Sequence, residues 1–140
     1  METSGHVLHI AVAALKQILK RSDELRNTIL LYAQASLTQI AQTVVCGRHH
    51  SLTQQLCQHL LMINDKSLSD DFRLTHEAVS RMLGVRRESI TEAAGELRDQ
   101  GLIAYSRGHV KVLDRPRLEK MCCECYGVVR EEFARLLENT

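Results

Sequence analysis

Arg86 and Arg87 stand side by side, followed by Glu88, at a point where the apolar pattern announces a new helix. Cations at a helix N-terminus face the positive end of the helix dipole, so a basic start makes better sense with an anion opposite it. The chemistry on offer is hydrogen bonding to base edges: an arginine fork matches guanine O6 and N7, and a glutamate can accept from cytosine N4. Arg87 and Glu88 are therefore the expected base readers, with Arg86 and Thr91 beside them and Glu92 completing the outer face. The ordinary alternative is a solvated helix end.

A second grouping is Cys122-Cys123-Glu124-Cys125, in which Cys122 and Cys125 have the spacing of many zinc and dithiol sites. No second pair at matching spacing exists. Cys46, Cys57, His49, His50 and His59 carry suitable atoms, but the helical pattern assigns them to other faces, so the expectation is buried, unreactive thiols with no metal and no cofactor. Five cysteines at uneven spacings, with no export signal ahead of them, suggest reduced thiols and the cytoplasm. A glycine-rich phosphate loop, a nucleophile elbow and a coupled acid pair are all missing, and Asp70-Asp71 reads as a solvated loop, so an enzyme is not expected.

The elements that must position these residues are mostly helical. Of 140 residues, 44% are hydrophobic and 25% charged, with one proline and no tryptophan, the proportions of a globular chain that favours helix over sheet. A formal charge of +1 means that any attraction to phosphate comes from local clustering. No run of 18 apolar residues is present, and no membrane is expected.

Ser4 to Ile10 reads as a strand or a first helical turn, and Val12 to Leu19 as a small helix with Leu15, Ile18 and Leu19 on one face. Ser22 is a suitable N-cap for a long helix over 22–47, which Cys46 and Gly47 should end. Within it Leu30, Ala33, Leu37, Ile40 and Val44 recur at alternating threes and fours, the seam along which two helices pair. A single amphipathic helix packed on its own domain is the alternative. Ser51-Leu52-Thr53-Gln54 matches a capping box, and Leu52, Leu56, Leu60 and Ile63 form a core stripe that ends in the polar turn from Asn64 to Ser67.

Phe72-Arg73-Leu74 can form a short strand, and Thr75 caps the helix whose buried face is Ala78, Val79, Met82 and Leu83. Gly84 suits a tight turn before a second helix over 86–100, with Ile90, Ala94 and Leu97 inward. Two β-prone runs around Ser106-Arg107-Gly108 then read as a hairpin, placing Arg107, His109 and Lys111 at its tip and edge, where they can meet phosphates. The chain should thus be mainly α with a small hairpin wing, divided into a linker segment (1–21), a dimerisation helix (22–47), a winged helix-turn-helix (48–120) and a C-terminal helix (121–140).

The stretch from Leu74 to Thr91, with the Gly101-Leu102-Ile103 and Arg107-Gly108 segments, resembles the C-terminal half of the Crp/Fnr superfamily of bacterial transcription regulators. The resemblance implies sequence-specific DNA binding by a homodimer. Arg87 and Glu88 match the family's major-groove pair, and Thr75 a residue that caps the first helix near a phosphate, with Ser89 a further phosphate contact. Arg86 stands where many members have a small capping hydroxyl, and Glu92 where some have a basic reader. The expected partners are double-stranded DNA carrying a two-fold symmetric operator, a second copy of the chain, and RNA polymerase. The sensor domain usual in the family has no room here, and Ser4 to Ile10 is similar to the strand leading out of it, so a C-terminal fragment or a naturally sensor-less regulator is expected. The other reading is a winged-helix module that binds protein instead of DNA.

Overall fold

The computed structural model describes residues 8–67 and 69–138. Residues 4–7 of the expected first strand lie outside the described residues, and Leu8, His9 and Ile10 are exposed, irregular chain. Helix α1 (Val12–Arg21) buries no residue. Ser22 then breaks the helix and caps the next, its hydroxyl accepting the Leu25 N–H at 3.2 Å, while Asp23 and Glu24 sit in the first turn where the dipole favours acids.

Helix α2 (Asp23–His49) runs two residues past the expected stop. Gly47 does not take the left-handed conformation, and the chain stays helical until the His50 N–H donates to the Cys46 carbonyl at 3.0 Å. Glycine permits a helix end without imposing one. Along α2 only Ala35 and Cys46 are buried; Leu30, Leu37, Ile40 and Val44 are 61–67% exposed, and Ala33 is exposed as well. By length and composition α2 could also cross a membrane.

Helix α3 (Leu52–Lys66) opens on the expected capping box: the Gln54 N–H donates to Ser51 Oγ at 3.2 Å and the Ser51 N–H to Gln54 Oε1 at 3.1 Å. Leu56, Leu60 and Ile63 are buried as the stripe predicted, with Leu52 partly buried beside them. The polar turn begins later than expected. Asn64, Asp65 and Lys66 are still helical because Asn64 is buried, accepting from Arg115 Nη1 at 2.6 Å and donating to Asp70 Oδ1 at 2.9 Å.

Strand β1 (Asp71–Arg73) leads into helix α4 (His76–Leu83), helix α5 (Arg87–Asp99), and the hairpin of β2 (Ile103–Ser106) and β3 (His109–Val112). The strands form one antiparallel sheet in the order β1-β3-β2, so the wing has three strands. Leu60, Leu61, Ile90, Leu97, Leu102, Ile103 and Leu118 are its fully buried neighbours in a single core shared by α3, α5, the sheet and helix α6 (Arg115–Met121). Met82, expected in that core, is 50% exposed, since α4 presents only Val79 and Ser80 as buried residues.

The C-terminal region is two helices where one was expected. Asp114 caps α6 by accepting the Arg117 N–H at 3.0 Å, and Pro116 sits in the first turn, where a missing N–H costs nothing. Cys122 is extended and ends α6; α7 (Cys125–Phe133) follows and closes with a π-helical turn, Ala134–Glu138. Helix α7 lies along α2, with the Tyr32 and Phe133 rings edge-on at 6.2 Å.

Candidate nucleic-acid interface

Thr75 Oγ1 accepts the Ala78 N–H at 3.1 Å and starts α4. Gly84, at φ 67, ends it in the left-handed conformation, and both Gly84 and Val85 N–H groups return to the Ser80 carbonyl. Two residues later α5 begins with Arg86 as its extended N-cap, and no side chain caps it. The first backbone N–H groups of α5 consequently have no side-chain cap and lie at a turn where Arg86 and Arg87 are both exposed. Ile90, Ala93, Ala94 and Leu97 hold the other face in the core, which fixes Arg86, Arg87, Glu88, Thr91 and Glu92 on the outside. Ser89 is half-buried.

The hairpin turn has positive φ at both central residues, Arg107 at 49° and Gly108 at 80°. This is the twist that two-residue hairpins favour, and a non-glycine residue in it costs about 1–2 kcal/mol. The Leu74 N–H donates to the Gly108 carbonyl at 2.8 Å, and a Cβ on Gly108 would come within 3.3 Å of the Thr75 methyl. The wing tip is thereby seated against the start of α4, bringing Thr75 and the exposed Arg107 into one neighbourhood.

His109 and Lys111 face outward on β3 while Val110 and Val112 face the core. Lys111 is in register with Asp71, and His109 Nδ1 lies 3.2 Å from Asp71 Oδ1, so one carboxylate partly offsets the basic edge. Asp71 is therefore a strand residue, whereas the sequence suggested a loop; Asp70 is exposed ahead of it. Arg73, paired in register with His109, adds an exposed cation that the sequence reading passed over. The alternation around buried Phe72 was the signal that points it outward.

One joint ties the helix pair to the wing. The His76 ring stacks on Tyr105 at 4.2 Å, its backbone N–H donates to the Tyr105 hydroxyl at 3.1 Å, and that hydroxyl donates to the Leu74 carbonyl at 3.0 Å. His76 Nδ1 lies 3.0 Å from Thr91 Oγ1, and Thr91 is also 3.1 Å from the Arg87 carbonyl. Thr91 is thus engaged on its own helix and by α4, orienting the turn that carries Arg87. Burial, and then the charge of Arg87, lower the His76 pKa below its usual value, keeping the ring neutral.

The placement expected for Cys46 and His50, on faces away from the C-terminal cysteines, needs correcting. Cys46 at the end of α2 and His50 just after it meet Cys123 and Cys125, with the four ligand atoms all within 4.8 Å of one another. Elements assigned to different faces converge because α7 folds back along α2. Cys122, Cys57, His49 and His59 stay out of the cluster. Burial, followed by the charge of Cys123, pushes the Cys57 thiol up to about 12, leaving it a small apolar core residue.

Residues 54–121, from α3 through α6, match the family model of the Crp-like helix-turn-helix domain. The chain is 21% identical over 119 residues to the global nitrogen regulator of Synechococcus elongatus, covering 80% of this chain and 54% of that protein. A solved structure from Eubacterium rectale, assigned to the crp/fnr family of transcriptional regulators, superposes with a TM-score of 0.58 at 26% identity, over 76% of this chain and 49% of that one. The catabolite activator protein of Thermus thermophilus gives 0.44 at 21%, over 81% and 46%. The chain spans about half the length of each relative. Transcription regulators, not enzymes, are what it resembles.

Proposed function

Residues 54–121 form a Crp-like helix-turn-helix domain, which sets the chain among the Crp/Fnr regulators, and on that premise we propose that it binds double-stranded DNA sequence-specifically as a homodimer. The observation that carries the proposal is the start of α5: uncapped N–H groups, Arg86 and Arg87 exposed, and the helix held from behind by its core stripe and by the His76 joint. Such an end suits the major groove, with Arg87 and Glu88 reading base edges, Arg86 beside them, and Thr91 contributing by position. Thr75, Ser89, Arg107, His109 and Lys111 contact phosphates and set register, with Arg73 joining the wing edge.

The exposed stripe of α2 supports the homodimer, through Leu30, Ala33, Leu37, Ile40 and Val44, and two α5 helices related by a two-fold axis call for a symmetric operator. Such a regulator would work in the cytoplasm and act on RNA polymerase.

Selection of bound sequences from a random duplex pool, followed by mobility shifts at rising salt, tests the proposal. An enriched palindrome whose affinity falls with salt is the expected result. Arg87→Ala should cost about 1–3 kcal/mol on the selected site and little on random duplex. Equal losses on both would remove the reading role, and no enrichment would favour a protein-binding winged helix.

A further inference from the structure

We propose that Cys46, His50, Cys123 and Cys125 form a structural zinc site that clasps the end of α2 to the start of α7. Cys46 Sγ and Cys123 Sγ are 3.5 Å apart, and Cys125 Sγ is 3.5 Å from His50 Nδ1. Four ligands around one ion at zinc distances form a tetrahedron with edges of about 3.8 Å between sulfurs and about 3.6 Å between sulfur and nitrogen. These two pairs lie close to such edges, and all four ligand atoms fall within 4.8 Å of one another, near enough for one ion to draw together. An iron–sulfur cluster carries its own inorganic core and needs its cysteines further apart.

The surroundings are those of a metal site as well. His50 turns its other ring nitrogen to Glu124, with Nε2 3.2 Å from Oε1, the carboxylate that fixes a ligating imidazole's tautomer and orientation. Gln42 Nε2 donates to Cys125 Sγ at 3.0 Å, a contact that favours a thiolate. Cys46, Cys123 and Cys125 are 6% exposed or less, and half-buried His50 closes the outer side. Thiolate with imidazole in a tetrahedron selects zinc among common ions, and four protein ligands leave no open position, so the ion's role is structural. On binding, the three thiols release protons and the imidazole stays neutral. Gln58 Oε1, 3.9 Å from Cys123 Sγ, gives up its thiol contact in exchange.

The test uses the full chain, reduced and freed of metal, with Zn²⁺ and Co²⁺ as probes and no DNA. About one equivalent of Zn²⁺ should bind and raise the unfolding midpoint by at least about 5 °C. Co²⁺ should give the intense absorption of a tetrahedral thiolate site. Cys46→Ser and Cys123→Ser should lose that spectrum, whereas Cys122→Ser should keep it. Glu124→Gln, an exposed change that leaves all four ligands, should weaken Zn²⁺ about 10- to 100-fold. The proposal fails if wild-type protein takes up no Zn²⁺, if Co²⁺ shows no thiolate absorption, or if Cys122→Ser loses the spectrum and Cys123→Ser keeps it. It fails equally if purified protein carries iron with inorganic sulfide, or a Cys46–Cys123 disulfide that forms without metal.

Discussion

Helices α2 and α5 both carry apolar stripes at helical spacing, yet they end in opposite environments. In α5, Ile90 and Leu97 have no exposed surface, because α3 and the wing close over them. In α2, Leu30, Leu37, Ile40 and Val44 stay mostly exposed, and α7 meets a different face, where Gln42 and Cys46 approach Cys125. Periodicity states that a face will be covered, not by what. In the proposed dimer, burying each large side chain of this open stripe would return about 1.5–3 kcal/mol.

Substitutions on the two stripes should therefore fail differently. Leu97→Ala should destabilise the fold by about 2–5 kcal/mol in denaturant unfolding at fixed protein concentration; a loss below 1 kcal/mol would mean that the α5 stripe is not the core. Leu37→Glu should leave the winged domain folded by circular dichroism while shifting sedimentation to the monomer, since pairing would bury the charge. An unchanged dimer would move the interface off α2, and protein recovered only in detergent would make a lipid bilayer its host.

The smallest effect concerns the joint behind α5. In an NMR titration of the free chain, His76 should protonate below the ordinary histidine value of about 6.5. The sign follows: the unfolded chain binds that proton more readily, so the joint's contribution to stability is complete above about pH 6.5 and falls as the pH drops toward the folded value. Bound DNA, by placing phosphates opposite Arg87, should move the titration upward. A His76 that titrates normally would show the ring to be solvated.

Much of the architecture was legible because its signals are local. The Ser22 and Thr75 caps, the capping box at Ser51 and Gln54, Gly84 and the Arg107-Gly108 turn each act within four residues, and each stands where the sequence put it. What escaped depends on chain segments far apart. Asn64 stays helical because Arg115, 51 residues away, needs it. Gly47 stays helical in a turn whose Cys46 meets Cys123, and Met82 is half exposed because no neighbour among the described residues fully covers it. The C-terminal cysteines showed a two-residue spacing between Cys122 and Cys125, but the non-helical link between α6 and α7 brings Cys123, not Cys122, to Cys46 alongside Cys125. For the interface, the basic start of α5 could be read directly, while the part played by His76 required knowing that Tyr105 stacks on it.

Only His50 and Ser51 separate α2 from α3, and α3 packs directly against α5. A connection that short leaves little slack, so the angle at which α2 enters is passed through α3 to α5. In a pair joined along α2, that angle is a ruler: it sets how far apart two recognition helices stand, against the roughly 34 Å that separates successive major-groove faces of one duplex. Lengthening the joint by a glycine would loosen the ruler without touching any residue proposed to meet DNA, and the selected operators should then tolerate variable spacing between half-sites.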